Sequence, residues 1–167
     1  MELILPANQY RDSYIDYIDE LGREERYPFP MDFDYSDFEK MLAKINDFSK
    51  GVNLPSGFVQ SSTFWLVDSG ALVGVTNIRH RLNKEIEHCG GHIGLSIRPS
   101  YRGKGLGNKL MHLSIEKLWQ LGVDTIHIHC YKDNMSSARA IISNGGQLIS
   151  ELPLEYKVVQ RYLVTRT

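Results

Sequence analysis

A glycine-rich turn near the middle of the chain combines basic side chains with the start of a helix. The alternating residues Ile93, Leu95 and Ile97 predict a strand before the turn, and Pro99 ends that strand. The turn itself reads Arg102-Gly103-Lys104-Gly105-Leu106-Gly107. Free N–H groups in the first turn of a helix attract negative charge, and glycines let a phosphate approach the backbone. The turn predicts a pyrophosphate site; the alternative is an ordinary strand-to-helix connection in which glycines allow tight packing.

The spacing of these glycines excludes two common phosphate-binding loops. No Gly-Lys-Ser/Thr sequence closes the turn, so it is not a P-loop. Gly103, Gly105 and Gly107 are spaced G-x-G-x-G, which differs from the G-x-G-x-x-G fingerprint of dinucleotide-binding folds. The phosphate-bearing ligand therefore belongs to another class.

Histidines and cysteines occur in two stretches that we expect on neighbouring strands. They are His88, Cys89 and His92, followed by His127, His129 and Cys130. A His-x-His sequence on a strand points both rings to one face, which is an arrangement that zinc can use. The spacings match no established zinc pattern, and both residue types are common in protein cores. We therefore expect no metal.

Length and composition are those of one globular domain, which we place at residues 1–167. The chain is 42% hydrophobic and 23% charged, and its net charge of −1 argues against a general nucleic-acid binder. Two cysteines are too few for a disulfide framework. No basic leader followed by an apolar run opens the chain, and no apolar stretch is long enough to span a membrane. We expect a cytoplasmic protein that binds neither nucleic acid nor membrane.

Charge is distributed unevenly along the chain. Residues 12–39 contain ten acidic residues and only two basic ones, so this acidic segment carries a formal charge of −8 and the remainder carries +7. Such an asymmetry is expected where two faces of one site bind ligands of opposite charge. Solvated, functionless helix faces are the alternative.

Periodicity and turn signals divide the chain into alternating strands and helices. Asn8 is a candidate N-cap of a first helix ended by Gly22, and the stretch from Ser36 to Glu39 reads as the capping box of a second. A long helix is predicted from about Gly105 to Leu121. Strands are predicted at 3–5, 63–67, 71–78, 91–97, 125–130, 146–152 and 158–165, and a short helix at 136–143.

The motif R-x-x-G-x-G, formed here by Arg102, Gly105 and Gly107, resembles the acetyl-CoA-binding motif of the GNAT acetyltransferase superfamily. The resemblance continues through Asp133-Asn134-x-x-Ser137 and covers nearly the whole chain. More narrowly, Trp65-Leu66-Val67, Arg79-His80-Arg81-Leu82-Asn83, Gly90-Gly91-His92-Ile93-Gly94 and Arg161-Tyr162 resemble a bacterial subgroup of predicted GNAT acetyltransferases. The resemblance implies an α+β sandwich: a mixed central sheet of six or seven strands with helices on both faces.

The resemblance also implies where acetyl-CoA binds. In this fold the central strand splays from its neighbour, and its freed backbone pairs with the pantetheine arm; that assigns Leu95, Ser96 and Ile97 here. A backbone N–H near Leu95 or Ser96 is implied as the oxyanion donor. Asn134 and Ser137 are implied on the pantetheine side of the cleft, although Asn134 fits an N-cap of the last helix equally well. The pyrophosphate is assigned to Arg102, Gly103, Lys104, Gly105, Leu106 and Gly107.

The general acid is left open by the resemblance. The family's usual tyrosine, seven residues after the asparagine, is replaced here by Ile141. Tyr131, Ser137 and a water molecule are the remaining candidates to protonate the departing thiolate. Tyr131 fits packing at a strand end equally well.

The general base is open as well. Many family members carry a glutamate on the central strand at the position of Gly91, and this chain has His92 beside it. Histidine titrates near neutrality and suits the role, but a hydrogen-bonded structural histidine is the alternative. A water chain from Glu87 or from the acidic segment is a third interpretation.

Three basic residues, Arg79, His80 and Arg81, are expected near the mouth of the cleft. They could bind an acidic group of the acceptor or the 3′-phosphate of the cofactor, or they could simply be solvated.

Taken together, the residues and the resemblance predict an N-acetyltransferase. It would transfer an acetyl group from acetyl-CoA to a primary amine, on a small cationic metabolite or a peptide, by direct attack in a ternary complex. The alternatives are a non-catalytic acyl-CoA-binding or sensing module and a metal- or nucleotide-binding regulatory protein. The resemblance also implies a homodimer.

Overall fold

The computed structural model describes all 167 residues and contains seven strands and five helices. In chain order they are β1 (Glu2–Ile4), α1 (Arg11–Leu21), α2 (Phe38–Lys50), β2 (Ser61–Asp68), β3 (Ala71–Arg79), α3 (Lys84–His88), β4 (Ile93–Ile97), α4 (Leu106–Gln120), β5 (Thr125–Tyr131), α5 (Met135–Ser143), β6 (Gln147–Pro153) and β7 (Val158–Thr165). Short 3₁₀ turns precede α1, α2 and α4. The predicted elements are all present, and their bounds shift by only a few residues.

Two predicted helix caps are wrong in detail. Asn8 does not cap α1, because a 3₁₀ turn over Asn8–Tyr10 comes first and the helix begins at Arg11. The cap of α2 is Asp37, whose side chain accepts a hydrogen bond from the backbone N–H of Lys40. Before α2 the sequence offers two adjacent capping residues, Ser36 and Asp37, whereas the N-cap of α1 is Tyr10, which makes no side-chain cap.

The seven strands form two hydrogen-bonded sheets, ordered β1-β2-β3-β4 and β5-β7-β6. The α+β class with seven strands is confirmed, while every ladder within the two sheets is antiparallel. The sheets meet at one isolated bridge, between Gly91 and Ile128. Beyond that bridge β4 and β5 make no ladder with each other, so an open gap separates the two sheets.

Helices cover both faces of this split sheet, as the sequence predicts. On one face α1 and α2 bury a cluster that includes Tyr14, Tyr17 and Trp65. On the other face α4 and α5 pack against β5 and β7 through residues such as Ile115 and Ile141. None of the five helices combines the length and the apolarity needed to cross a membrane.

Candidate active site

The gap between β4 and β5 opens into a cleft of about 1040 Å³. The backbone N–H of Arg79 donates to the carbonyl of His92 at 2.8 Å, and that of Arg98 donates to Val73 at 2.9 Å. Because antiparallel partners alternate, Gly94 and Ser96 bond to β3 between those two positions, while Ile93, Leu95 and Ile97 direct their backbone groups to the open edge. The N–H that faces the cleft is therefore that of Leu95, and the N–H of Ser96 is engaged within the sheet.

The side chain of Ser96 lies on the face of β4 that is covered by α1. Its hydroxyl is 2.7 Å from the hydroxyl of Tyr17, which is buried in α1. Leu95 points to the other face, toward α4. The three residues predicted to bind the pantetheine arm, Leu95, Ser96 and Ile97, all line the cleft.

Gly91 makes the junction between the two sheets possible. Its φ is +70°, and a Cβ atom at this position would lie 2.6 Å from the carbonyl oxygen of His127. No side chain fits there, so the carboxylate that many family members carry at this position has no counterpart. The same Cβ would lie 3.4 Å from the ring of His129.

The glycine-rich turn presents a row of free backbone donors at the start of α4. No N–H from Gly103 to Asn108 has an acceptor within the protein. Gly103 and Gly105 have φ values of +76° and +78°, and a Cβ at either would point into open space. Gly103, Gly105, Leu106 and Gly107 line the cleft, next to the open edge of β4. This turn fits the pyrophosphate of a coenzyme A ligand: six free donors, no obstructing side chains and the positive end of a 15-residue helix.

The two basic side chains of the turn point in different directions. Arg102 lines the cleft, makes two hydrogen bonds to the Glu24 carboxylate at 3.0 and 2.8 Å, and donates through Nε to the Ile97 carbonyl. These hydrogen bonds lower the pKa of Glu24. The Lys104 ammonium instead lies 5.1 Å from the ring centroid of Tyr101, outside the cleft lining. In this conformation Lys104 contributes its backbone to the turn and its side chain only to the surrounding positive charge.

The helix α5 forms the wall of the cleft opposite β4. Asn134 is its N-cap, and the Asn134 side-chain oxygen accepts a hydrogen bond from the N–H of Ser137 at 3.1 Å. Both residues also line the cleft, so the structure combines the two interpretations of Asn134. Sequence reasoning missed the neighbouring stripe of Ser136, Arg139, Ala140 and Ser143, although its i, i+3, i+4, i+7 spacing marks one helix face.

His92 is buried and lies outside the cleft lining. Its Nδ1 atom accepts a hydrogen bond from the N–H of His127 at 2.9 Å, and burial together with the charges of His127 and Arg79 lowers its pKa to about 4. A ring whose acceptor nitrogen is already engaged, and which does not reach the substrate space, is a structural residue. The geometry thus does not fit the base predicted at His92, because the turn at Gly91 directs the ring away from the open edge.

His129 lines the cleft in its place. Its Nδ1 atom accepts a hydrogen bond from the N–H of Gly90 at 2.9 Å, and its Nε2 atom is buried with no partner in the protein. Burial is the main cause that lowers its pKa to about 4, so the ring is neutral at pH 7 and Nε2 carries the proton. No group of three or more His, Cys, Asp or Glu side chains is arranged to hold a metal ion.

Two tyrosine hydroxyls meet at the mouth of the cleft. Tyr27, from the loop between α1 and α2, lies 3.5 Å from Tyr131 at the end of β5, hydroxyl to hydroxyl. Burial raises the pKa of Tyr27, so its hydroxyl is protonated at neutral pH and donates a hydrogen bond to Tyr131. Ile141 is 0% exposed and packs in the core, and no acid replaces the missing tyrosine at that position. Ser137 sits close to the buried thiol of Cys130, whose pKa is raised by burial, and both residues line the cleft.

The acidic segment meets the cleft through only a few of its members. Glu24 and Glu25 line the cleft, and Asp32 lines an adjoining hollow that shares Phe29 and both glutamates. Asp34 accepts a hydrogen bond from the N–H of Ser36 in its own loop. Most of the remaining acidic residues lie on exposed surfaces of α1 and α2, and Glu87 does not line the cleft.

The open β4 edge, the splayed β5 and the donor-rich turn define a class of protein, the acyl-CoA-dependent acyltransferases of α+β architecture. The family model described as Acetyltransferase (GNAT) family matches residues 15–141. The chain therefore belongs to the GNAT acetyltransferase family, as its motifs indicate.

Solved structures with the same fold span almost the entire chain. A chimera of the Vibrio cholerae spermidine N-acetyltransferase SpeG with hSSAT superposes with a TM-score of 0.70 at 16% identity, covering 99% of this chain and 96% of that one. The ribosomal-protein-S5-alanine acetyltransferase from Vibrio fischeri gives 0.69 at 15% identity, with coverage of 98% and 91%. The yncA protein from Salmonella typhimurium, solved with acetyl-CoA, gives 0.65 at 14% identity, with coverage of 98% and 92%. No curated protein sequence matches the chain significantly.

Proposed function

We propose that this protein transfers an acetyl group from acetyl-CoA to a primary amine by direct attack in a ternary complex. The main observation behind the proposal is that two sets of unpaired backbone N–H groups lie next to each other. The open edge of β4 runs directly into the turn from Gly103 to Asn108, whose N–H groups have no acceptor. A strand edge suits the amides of a pantetheine arm, and the turn suits a pyrophosphate.

Bound acetyl-CoA supplies a thioester with an acyl carbon that an amine can attack. The protein's part is to hold this group beside the acceptor and to stabilise the charge that develops on the carbonyl oxygen. The N–H of Leu95 is the donor proposed for that oxyanion, because it lies on the open edge at the middle of β4. Leu95 can serve without rearrangement, since no partner strand occupies its backbone.

Proton transfer is assigned to the acceptor side of the cleft. Tyr131 is the proposed general acid, and the hydroxyl of Tyr27 lies beside it. The amine loses its proton to water that leads to the rim of the cleft, where Glu25 is exposed. His92 is left out of this scheme for the geometric reasons given above, and Ser137 lies on α5, where its backbone N–H is engaged by the cap residue Asn134.

The acceptor is proposed to be a primary amine on a small cationic metabolite or a peptide. Support comes from the rim, where Glu24, Glu25 and Asp32 line the adjoining hollow beside the ring of Phe29 and outnumber its two basic residues, Arg23 and Arg26. Carboxylates and an aromatic face attract ammonium groups. The homodimer and the cytoplasmic location remain predictions from the sequence.

The first experiment measures the rise in melting temperature caused by acetyl-CoA, CoA and ATP. A ligand at a hundred times its Kd adds about 2.7 kcal/mol of stability. Acetyl-CoA and CoA are expected to stabilise the protein and ATP is not. Gly105→Ala is expected to reduce that stabilisation strongly, because it distorts the turn and places a methyl group in the space that a phosphate needs.

The matched control is Gly122→Ala at the other end of α4. Gly122 has a φ of +83° and equally open surroundings, so both variants carry the same backbone strain, about 1 kcal/mol. The control is expected to melt at a lower temperature yet respond to CoA like the wild type. An undiminished CoA response in Gly105→Ala would remove the turn from the cofactor site.

One observation favours a second candidate, an acyl-CoA-binding or sensing module that does not turn over. The position of the family's usual acid is occupied by Ile141, a core residue. Such a module would show the same CoA stabilisation and no release of CoA with any amine. A free-thiol assay on the wild type with a panel of amines therefore separates the two functions.

A further inference from the structure

Arg79 is a partly buried cation of the cleft that has no counter-charge. The Arg79 guanidinium is largely removed from solvent, which lowers its pKa, yet none of the chain's six ion pairs includes it. Its one hydrogen bond runs from Nη1 to the carbonyl of Gly91 at 2.7 Å, and its carbon Cζ lies 5.8 Å from the ring centroid of Phe29. Since a guanidinium carries five N–H donors, most of them remain available to a ligand.

Two arginines near the cleft are neutralised by the acidic segment, whereas Arg139 is exposed and Arg26 hydrogen-bonds to the carbonyls of Gly22 and Glu24 in its own loop. Arg98 is paired with Glu20 at 2.7 Å, and Arg102 is paired with Glu24 at 2.8 Å. A buried charge without a partner is costly, and structures normally supply a carboxylate or a metal to balance it. The missing carboxylate at Arg79 thus marks a place for an anion from outside the chain.

The position of Arg79 separates this anion from the cofactor. The Arg79 backbone N–H pairs with the carbonyl of His92, three residues before Leu95 and so roughly 10 Å along the strand from the proposed oxyanion donor. The donor-rich turn that suits the pyrophosphate follows the opposite end of β4. Arg79 lies on the acceptor side of the cleft, among Tyr27, Phe29 and His129.

We propose that Arg79 binds an anionic group, a carboxylate, of the amine acceptor, at the end of the acceptor remote from the reacting amine. This inference rests on the proposed acetyl transfer and narrows its substrate class. The acceptor carries an amine at one end and a carboxylate at the other, as ω-amino acids and peptide segments do. A diamine would place its second ammonium against Arg79 and be repelled, while a monoamine would leave the guanidinium unpaired.

The test compares three acceptors of equal chain length: 6-aminohexanoate, hexylamine and 1,6-diaminohexane. With acetyl-CoA at saturation, the wild type is expected to show at least tenfold higher kcat/KM for 6-aminohexanoate than for either of the others. Arg79→Gln should erase this preference, mainly by raising the KM for 6-aminohexanoate. Arg79→Lys should keep part of it, because lysine retains the charge without the bidentate fork. Arg11→Gln, at an exposed position on α1 outside the cleft lining, is the control and should behave like the wild type.

Calorimetric titration of 6-aminohexanoate into the CoA-saturated protein gives a readout that does not need turnover. The anion site is supported if the wild type binds 6-aminohexanoate and Arg79→Gln binds it at least tenfold more weakly. If no amine is acetylated, this result still stands, and only the proposed transfer reaction is contradicted. A wild type that prefers the diamine or hexylamine overturns the inference, as does equal binding by the wild type and Arg79→Gln. If Arg79→Gln does not fold, shown by the loss of its CoA-dependent melting shift, the wild-type preference and the Arg79→Lys titration decide.

Discussion

The hydroxyls of Tyr27 and Tyr131 are separated by 104 positions in the sequence and by 3.5 Å in the fold. Such pairs of hydroxyls favour proton transfer, because one can donate while the other accepts. The family's usual acid position on α5 is buried and apolar in this chain, at Ile141. We therefore propose that Tyr131, at the mouth of the cleft, is the general acid that α5 lacks.

Replacing Tyr131 by Phe removes a single oxygen atom and tests the assignment of Tyr131 as general acid. We expect kcat to fall by roughly 10²-fold, the usual contribution of a positioned proton donor. Stabilisation by CoA should stay at the wild-type level, since the ring remains in place. Tyr156→Phe is the matched control, because Tyr156 is 89% exposed and distant from the cleft lining. Unchanged kcat in Tyr131→Phe would return the role of acid to Ser137 or to water.

Side chains alternate between the two faces of a regular strand, but the turn at Gly91 interrupts this alternation next to His92. His92 and His129 both carry imidazoles near the junction, and the positive φ of Gly91 decides which ring reaches the cleft. The sequence alone identifies both histidines, but it does not reveal that Gly91 bends the backbone. The presence of imidazoles near the junction was therefore predictable, while the ring that lines the cleft was not.

At the scale of elements, the division into two sheets creates the site. The strands β4 and β5 would otherwise satisfy each other's backbone groups, leaving no free edge for a ligand. The one backbone bridge between the two sheets is at Gly91 and Ile128, supported by the N–H of His92, which donates to the carbonyl of His127 at 2.7 Å. The glycine at this junction is the structural condition for the cleft.

Gly91→Ala is expected to destabilise the protein by about 3 kcal/mol or more. It adds a methyl group 2.6 Å from the His127 carbonyl to the strain of a φ of +70°. Gly70→Ala in the β2–β3 turn is the control, with a φ of +82° and nothing within 4 Å, and should cost about 1 kcal/mol. Urea unfolding of both variants provides the comparison. Equal losses would mean that the junction relaxes around the added methyl group.

For the whole molecule, the two buried imidazoles link folding to pH. His92 and His129 have pKa values of about 4 in the folded protein, chiefly because burial disfavours the charged ring, against about 6.5 when unfolded. Their contribution to stability is fully present above pH 6.5 and is lost as the pH falls toward 4, because the unfolded chain then binds more protons.

We therefore expect the free energy of unfolding to decrease between pH 6.5 and 4.5 by roughly 1–2 kcal/mol for each histidine. The upper part of this window lies above the range in which carboxylates titrate, whereas near pH 4.5 paired carboxylates such as Glu20 and Glu24, whose pKa values are lowered in the folded protein, add to the slope. His92→Asn keeps a hydrogen-bond acceptor near the N–H of His127 but cannot titrate, so it should flatten part of the slope. His112→Asn, at an exposed position on α4, should leave the slope unchanged. Denaturant melts across this pH range measure both, and a wild type of constant stability would contradict the assignment.

Only part of the negative charge of the acidic segment is available to attract a ligand. Two members of the acidic segment, Glu20 and Glu24, pair with Arg98 and Arg102 and tie α1 and the loop after it to the cofactor side of the fold. The remaining charges at the rim are the acidic Glu25 and Asp32 and the basic Arg23 and Arg26. A formal charge counted along the sequence therefore overstates what an incoming amine encounters.

The sequence by itself determined the features encoded in contiguous residues. The glycine turn, the helix after it, the alternating strands and the capping residue Asn134 all follow from local rules of backbone conformation and side-chain periodicity. For this reason the amino-acid sequence is sufficient to assign the family, the elements and the turn proposed for the cofactor. The glycines of this stretch favour the backbone conformation of the turn without help from distant residues.

Only the tertiary structure decided which groups meet. The choice of Leu95 over Ser96 as the free N–H depends on the register between β3 and β4. The pairing of Tyr27 with Tyr131 and the isolation of Arg79 from any carboxylate depend on how a loop from the first quarter of the chain lies across the split sheet. Register, bulges and loop paths are set by the balance of many distant contacts, so no local pattern in the sequence specifies them.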